Sequence, residues 1–112
     1  MNFDVPILFI TYKRYRTAIR VFNQIKIIKP SKLYFVSNQA KTKQEIKYVK
    51  KVRNLLKKID WDCNVISLYQ KEHLPVSKSI PSAINFLFKH EKYGIILEDD
   101  CLPSEDFFLF CK

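Results

Sequence analysis

Short apolar runs alternating with helix-period segments constrain this chain more than any other feature. Val5 to Thr11 (Val-Pro-Ile-Leu-Phe-Ile-Thr) is a continuous apolar run, the pattern of a strand buried on both faces. Pro6 is tolerable at such a strand's beginning. Lys32 to Ser37 reads as a second strand and Cys63 to Leu68 as a third, weaker one. A fourth run, Ile95-Ile96-Leu97, is introduced by the only glycine, Gly94, and reads as a buried parallel strand.

Helices are expected between them. Ala18, Val21, Phe22, Ile25 and Ile28 recur at three- and four-residue intervals until Pro30 stops the pattern. Thr42 suits an N-cap for a helix carrying Ile46, Val49, Val52, Leu55, Leu56 and Ile59 on one side. Ser77 and Ser79 as caps, with Pro81 in the first turn, would open a third helix with Ala83, Ile84, Leu87 and Phe88 inward. Pro103 and Ser104 introduce a fourth, with Glu105 and Asp106 in its first turn. The order β-α-β-α-β-α-β-α predicts an α/β fold with a Rossmann-like parallel sheet and right-handed crossovers. At 112 residues, 47% of them hydrophobic, residues 1–112 read as one domain with ample core material.

Charge is uneven. The net charge is +9, and between Lys41 and Lys58 eight bases, including Lys47, Lys50 and Arg53, are offset only by Glu45. Such a face attracts nucleotide phosphates, anionic lipid or nucleic acid, or is the wet side of a helix. Without interleaved exposed aromatics, nucleic acid is not the expected partner. No run approaches the roughly 18 apolar residues of a transmembrane helix. The start of the chain lacks a secretion-signal pattern. Cys63, Cys101 and Cys111 have no metal-type spacing, so a reduced, cytoplasmic setting is the expectation.

The acidic exit of the fourth strand carries the chemistry. Glu98, Asp99 and Asp100 follow Leu97 directly, at the end of a strand where open α/β sheets bind ligands. Crowded like charges there are relieved by a solvated turn or by a cation. Mg²⁺ or Mn²⁺, which binds through one or two carboxylates plus substrate phosphates, is the natural cation.

The stretch Gly94-Ile-Ile-Leu-Glu-Asp-Asp-Cys-Leu-Pro103, with Phe107-Phe108 downstream, resembles the metal-binding region of GT-A glycosyltransferases. It looks like a bacterial nucleotide-diphospho-sugar transferase subgroup, similar in this region to N-acetylglucosaminyltransferase I. Thr11-Tyr12-Lys13-Arg14 is similar to that subgroup's opening motif, and Ser79-Ile80-Pro81-Ser82-Ala83-Ile84-Asn85 to the helix before its acidic strand. The resemblance implies a UDP sugar as donor, Mn²⁺ or Mg²⁺ as cofactor, and a product glycan or surface polysaccharide. Asp100 would ligate the metal, Asp99 would face the ribose or a metal-bound water, and Glu98 the sugar or the residues that support the site. Thr11 and Arg14 would lie by the nucleoside and phosphates. Lys78 and Ser79 would present donors to an anion from a helix start. Plainer roles fit the same residues: a solvated arginine at Arg14, an ordinary helix cap at Lys78 and Ser79.

Two departures stand out. Asn38-Gln39 occupies the place of the subgroup's Asp-Gly, although an asparagine can still pair with uracil. Leu74-Pro75-Val76 replaces Leu-Gly-Cys, so that loop must take another path. The resemblance spans only the first half of the family's catalytic domain. The expectation is therefore a donor-binding half truncated after the acidic motif, inactive alone and prone to self-association through an uncovered sheet edge. His73 and His90 have no motif context as bases. Other readings are a degenerate, non-catalytic transferase whose basic helix contacts nucleic acid or acidic surfaces, and a nucleotidyltransferase using the same acids.

Overall fold

All five residues of β1 (Ile7–Thr11) are buried, because this strand has a neighbour on each side and a helical layer on each face. The computed structural model describes residues 3–100. The helix expected after Pro103, with Glu105, Asp106, Phe107 and Phe108, and the cysteines Cys101 and Cys111 lie outside the described residues. Four strands, β1, β2 (Lys32–Ser37), β3 (Asn64–Tyr69) and β4 (Ile95–Glu98), form one sheet in the order β3-β2-β1-β4. Every pairing is parallel, with Ile7 opposite both Leu33 and Ile95. The expected α/β architecture with a parallel, Rossmann-like sheet is therefore present.

The pleat sorts side chains between two helical layers. Ile7, Phe9, Leu33, Phe35, Ile95 and Leu97 pack with Ala18, Val21, Phe22 and Ile25 of α1 (Tyr15–Ile28) and with Val52 of α2 (Ile46–Arg53). Leu8, Ile10, Tyr34 and Val36 point the other way, onto Ala83 and Leu87 of α3 (Val76–Phe88). The first two crossovers step from β1 towards β3, and the third steps back across the sheet to β4. Reversing the step while keeping one crossover hand puts the third helix on the opposite face.

Local details depart from expectation in four places. The second helix is not continuous. A 3₁₀ turn at Lys43–Glu45 leads into α2, and another at Asn54–Lys58 follows it. The inward residues Val49, Val52 and Leu55 are spaced by three, and tighter winding keeps such a series on one face. Thr42 makes no side-chain cap, and Ile46 is 48% exposed rather than inward.

The third helix starts earlier than expected, with Pro75 as its N-cap, so Ser77 and Ser79 lie inside the helix instead of capping it. Pro81 falls in the second turn. It cannot donate to the carbonyl four residues earlier, on Ser77, and both residues are exposed, so that carbonyl lies on the solvent side of the helix.

β4 is an edge strand and only alternately buried: Ile95 and Leu97 are inside, whereas Ile96 is 39% exposed. α3 covers β1 and β2 and the inward side of β3, and does not extend over Ile96. Gly94 suits a close approach where β4 begins. A Cβ there would lie 3.0 Å from Leu87 Cδ2 and 3.1 Å from the Pro6 carbonyl oxygen. That same oxygen accepts the Ile95 N–H at 2.9 Å.

The fourth departure is on the basic stretch. Arg53 does not join the lysine face: it turns inward, its Nε donating to Ser37 Oγ at 2.8 Å and its guanidinium lying 4.4 Å from the Tyr69 ring centre. Tyr48, in contrast, is 44% exposed among the lysines, an interleaved aromatic that the sequence reading did not place there. Among the described residues no helix is long and apolar enough to cross a membrane.

Candidate functional site

β1 has β2 on one side and β4 on the other, and their connections leave in opposite directions. Parting loops at such a switch point open a crevice outside the carboxyl ends of the strands. A cleft of about 470 Å³ lies there. Thr11, Arg14, Asn38, Ser79, Glu98, Asp99 and Asp100 all line it, with Tyr12, Lys13 and Ile80. Lys78, expected beside Ser79, does not. It borders a separate depression with Leu68, Pro81 and Phe86. Consecutive residues on a helix point about 100° apart, and Ser79 and Ile80 are the pair that this helix turns towards the cleft, which carries Lys78 away from it.

The acidic turn has a graded environment. Asp99 is partly buried, and its Oδ2 accepts the Tyr12 backbone N–H at 3.2 Å. Burial is the main cause that raises its pKa to about 6, and the negative charges of Asp100 and Glu98 add to it; the Tyr12 N–H and Arg14 act in the opposite direction. Asp100 is exposed, 3.9 Å from Arg14 Nη1, and that distance is too long for a tight pair. Glu98 is exposed at the end of the edge strand. The turn thus carries more negative charge than its neighbours neutralise.

Four expected contact residues are already engaged within the fold. The Thr11 hydroxyl is buried and donates to the Val36 carbonyl at 2.9 Å, tying β1 to β2. The Asn38 carboxamide clips the exit of β2 to the loop before α3. Its Nδ2 donates to the Leu74 carbonyl at 2.8 Å, and its Oδ1 accepts the Leu74 N–H at 3.0 Å and the Gln39 N–H at 2.9 Å. An aspartate could not make the first of these bonds, which accounts physically for asparagine at this position. The Lys78 and Ser79 amides are already bonded to the Pro75 carbonyl, at 2.9 and 2.8 Å, so they are not free donors for an anion.

One cluster at the cleft was not assigned from the sequence. Glu45 accepts from the Tyr12 hydroxyl, from Lys13 Nζ at 3.0 Å and from the Lys41 backbone N–H at 2.9 Å. The Tyr12 bond and the Lys41 N–H are the chief causes that lower the Glu45 pKa to about 2. Tyr12 is raised to about 12, by burial first and by Glu45 second. The Tyr12 ring also lies 5.1 Å from the His73 ring, and His73 Nδ1 is 3.0 Å from the Gln39 carbonyl oxygen. The available signal was Glu45 itself, a single acid in a run of bases.

For a metal, the donor set is two or three adjacent carboxylates on one turn. Among the described residues, no group of three or more His, Cys, Asp or Glu side chains is arranged to hold an ion. Asp99 and Asp100 with open cleft beside them fit the mode in which Mg²⁺ or Mn²⁺ takes one or two carboxylates and fills its remaining positions from substrate phosphates and water. A closed structural site, which needs a full protein ligand set, does not fit these residues.

Comparison with protein-family models, with curated proteins and with solved structures finds no match to this chain, so the cleft is interpreted from its own residues.

Proposed function

We propose that this chain binds a nucleoside diphosphate sugar in the cleft at the carboxyl edge of its sheet, as the donor-binding part of a metal-dependent glycosyltransferase of the GT-A type, with a UDP sugar as the donor. One observation carries the proposal: an acidic turn with uncompensated charge, Glu98-Asp99-Asp100, and an exposed guanidinium, Arg14, line one cleft at the switch point of a parallel sheet.

Asp100, with Asp99 beside it, would hold Mn²⁺ or Mg²⁺. The bound ion would supply positive charge to the donor's two phosphates as the diphosphate leaves. Arg14 is long, exposed and only loosely paired with Asp100, so it is available to grip phosphate oxygens through its planar pair of N–H groups. Asn38 keeps the Leu74 loop against β2 and so shapes the wall of the cleft; its role is support rather than reading the base. Glu45 holds the Tyr12 ring and the Lys13 ammonium at the mouth. These duties amount to binding, orientation and charge neutralisation. No residue of the cleft is assigned to deprotonate an acceptor hydroxyl.

Calorimetric titration of the chain with UDP, with and without Mn²⁺ and beside Asp100→Ala, tests the proposal. The expected result is metal-dependent binding that the substitution reduces by at least about tenfold, the scale of one lost charge-assisted contact. Equal binding of inorganic diphosphate and UDP would remove the nucleoside from the assignment. No binding in the presence of metal would overturn it.

A further inference from the structure

A second surface has a different chemistry. Lys43, Lys47, Lys50 and Lys51 are all exposed on the outward side of α2 and the 3₁₀ turn before it. Lys47 stands between Ile46 and Tyr48, which are 48% and 44% exposed, and the three line one shallow depression. The stretch's single acid has left this face: Glu45 turns inward to Tyr12 and Lys13. The surface therefore presents lysines, an aliphatic side chain and a tyrosine, without a neutralising carboxylate. Ile46 and Tyr48 offer apolar surface beside the ammonium groups, and a partner that takes up both charges and apolar groups would bury it.

We infer that this face docks on a membrane surface rich in anionic lipid, with the lysines at the headgroups and Ile46 and Tyr48 entering the interface. Charge complementarity selects an anionic partner. The apolar pair selects a lipid surface over a nucleic acid, because a phosphate backbone uses the lysines and a base uses the Tyr48 ring, but neither buries Ile46. Tyrosine is also a residue of membrane–water interfaces. A groove lined by Tyr48, Lys51, Tyr15 and Arg14 runs from this face to the rim of the cleft. Docking would thus bring the cleft mouth close to the membrane plane. The inference does not depend on what the cleft binds.

Co-sedimentation of the full chain with vesicles tests it, using phosphatidylcholine alone and phosphatidylcholine with phosphatidylglycerol, at low and high salt. Binding is expected only with the anionic lipid and should weaken steeply with salt. Replacing Lys43, Lys47 and Lys50 together by Gln should lower partitioning roughly a hundredfold, at about fivefold per lysine. Ile46→Ser with Tyr48→Ser, which leaves the charge unchanged, should lower it by about tenfold or more. Lys89→Gln with Lys92→Gln, exposed lysines outside this face, should change it less than about twofold. Circular dichroism checks that each variant is folded. Absence of binding to anionic vesicles overturns the inference. So does an effect of the Lys89 and Lys92 pair that matches, lysine for lysine, that of the α2 lysines. An unchanged Ile46 and Tyr48 variant, together with tighter binding to single-stranded DNA than to vesicles, overturns it in favour of nucleic acid.

Discussion

Two clusters of tyrosine, glutamate and lysine hold opposite ends of the same sheet. At the amino end, the Tyr34 hydroxyl and Lys32 Nζ both bond Glu91, the lysine at 3.1 Å. At the carboxyl end, Tyr12 and Lys13 do the same with Glu45. Both glutamates are held below the ordinary carboxylate range, first by the tyrosine hydrogen bond, and both tyrosines are raised to about 12, first by burial. The likeness ends there. The carboxyl end adds the adjacent acids Glu98, Asp99 and Asp100 beside its cleft, with Arg14 3.9 Å from Asp100. Asp99 moves the other way from the glutamates, up to about 6. Where charge is matched, the fold favours ionised acids. Where an acid is partly buried beside a cleft with other acids next to it, ionisation costs stability.

The largest effect expected from a single change tests whether Asn38 supports the carboxyl end. Asn38→Asp removes the donor to the Leu74 carbonyl and sets a buried carboxylate against it. Urea denaturation near neutral pH should show a loss of about 2–3 kcal/mol. A loss under about 0.5 kcal/mol would mean that the clip does not hold the loop.

At the amino end, Glu91→Ala leaves the Tyr34 hydroxyl and Lys32 without their acceptor and should cost about 1–2 kcal/mol. The sign with pH follows from the lowered glutamates. For Glu45 the contribution is complete above about pH 5 and disappears as pH falls towards about 2, and for Glu91 it is likewise lost on acidification, because the unfolded chain takes up protons first. Acid titration of Glu45→Gln should therefore show a shallower fall than the parent over that window. An identical slope would break the parallel between the two clusters.

Asp99 should behave oppositely. With its folded pKa above the unfolded value, the native state holds the proton longer, so stability declines as pH rises from about 4 to about 6 and then levels. Asp99→Asn keeps an acceptor for the Tyr12 N–H and removes the charge. It should raise stability by about 1 kcal/mol at pH above 7, after allowance for the part of the group that water screens, and by nearly nothing at pH 4. Thermal denaturation at the two pH values decides this; a gain of equal size at both would assign the effect to packing instead of charge.

The smallest effect belongs to Arg14. Its exposed contact with Asp100 is long, so Arg14→Gln should leave stability within about 0.5 kcal/mol. The same variant should weaken UDP binding in calorimetry by about tenfold, the scale of one charged hydrogen bond. A large loss of stability with unchanged binding would make Arg14 a structural residue and the two ends of the sheet alike.

Much of this was legible before any tertiary information. β2 spans the residues its composition marked, Lys32 to Ser37, because a buried central strand shows as an unbroken apolar run. The convergence of Thr11, Arg14, Asn38 and the acidic turn on one edge follows from parallel topology, in which all strand exits share a side. Lys78, Arg53 and Glu45 were not legible. The first depended on where α3 begins, and so on which way consecutive helical residues point. The others depended on partners 16, 32 and 33 residues away, Ser37, Lys13 and Tyr12.

The sequence by itself determined the alternation of strands and helices, and with it a parallel sheet whose carboxyl edge gathers the chemistry-bearing residues. Apolar periodicity is a local property, and local geometry converts it directly into buried faces. Only the tertiary structure decided that β4 lies at an edge with Ile96 uncovered, that Asn38 is a clip, and that Glu45 turns inward and leaves the lysines of the α2 face without its carboxylate. Each of these depends on which distant groups meet, and on whether a charge finds a partner there, which no local pattern records.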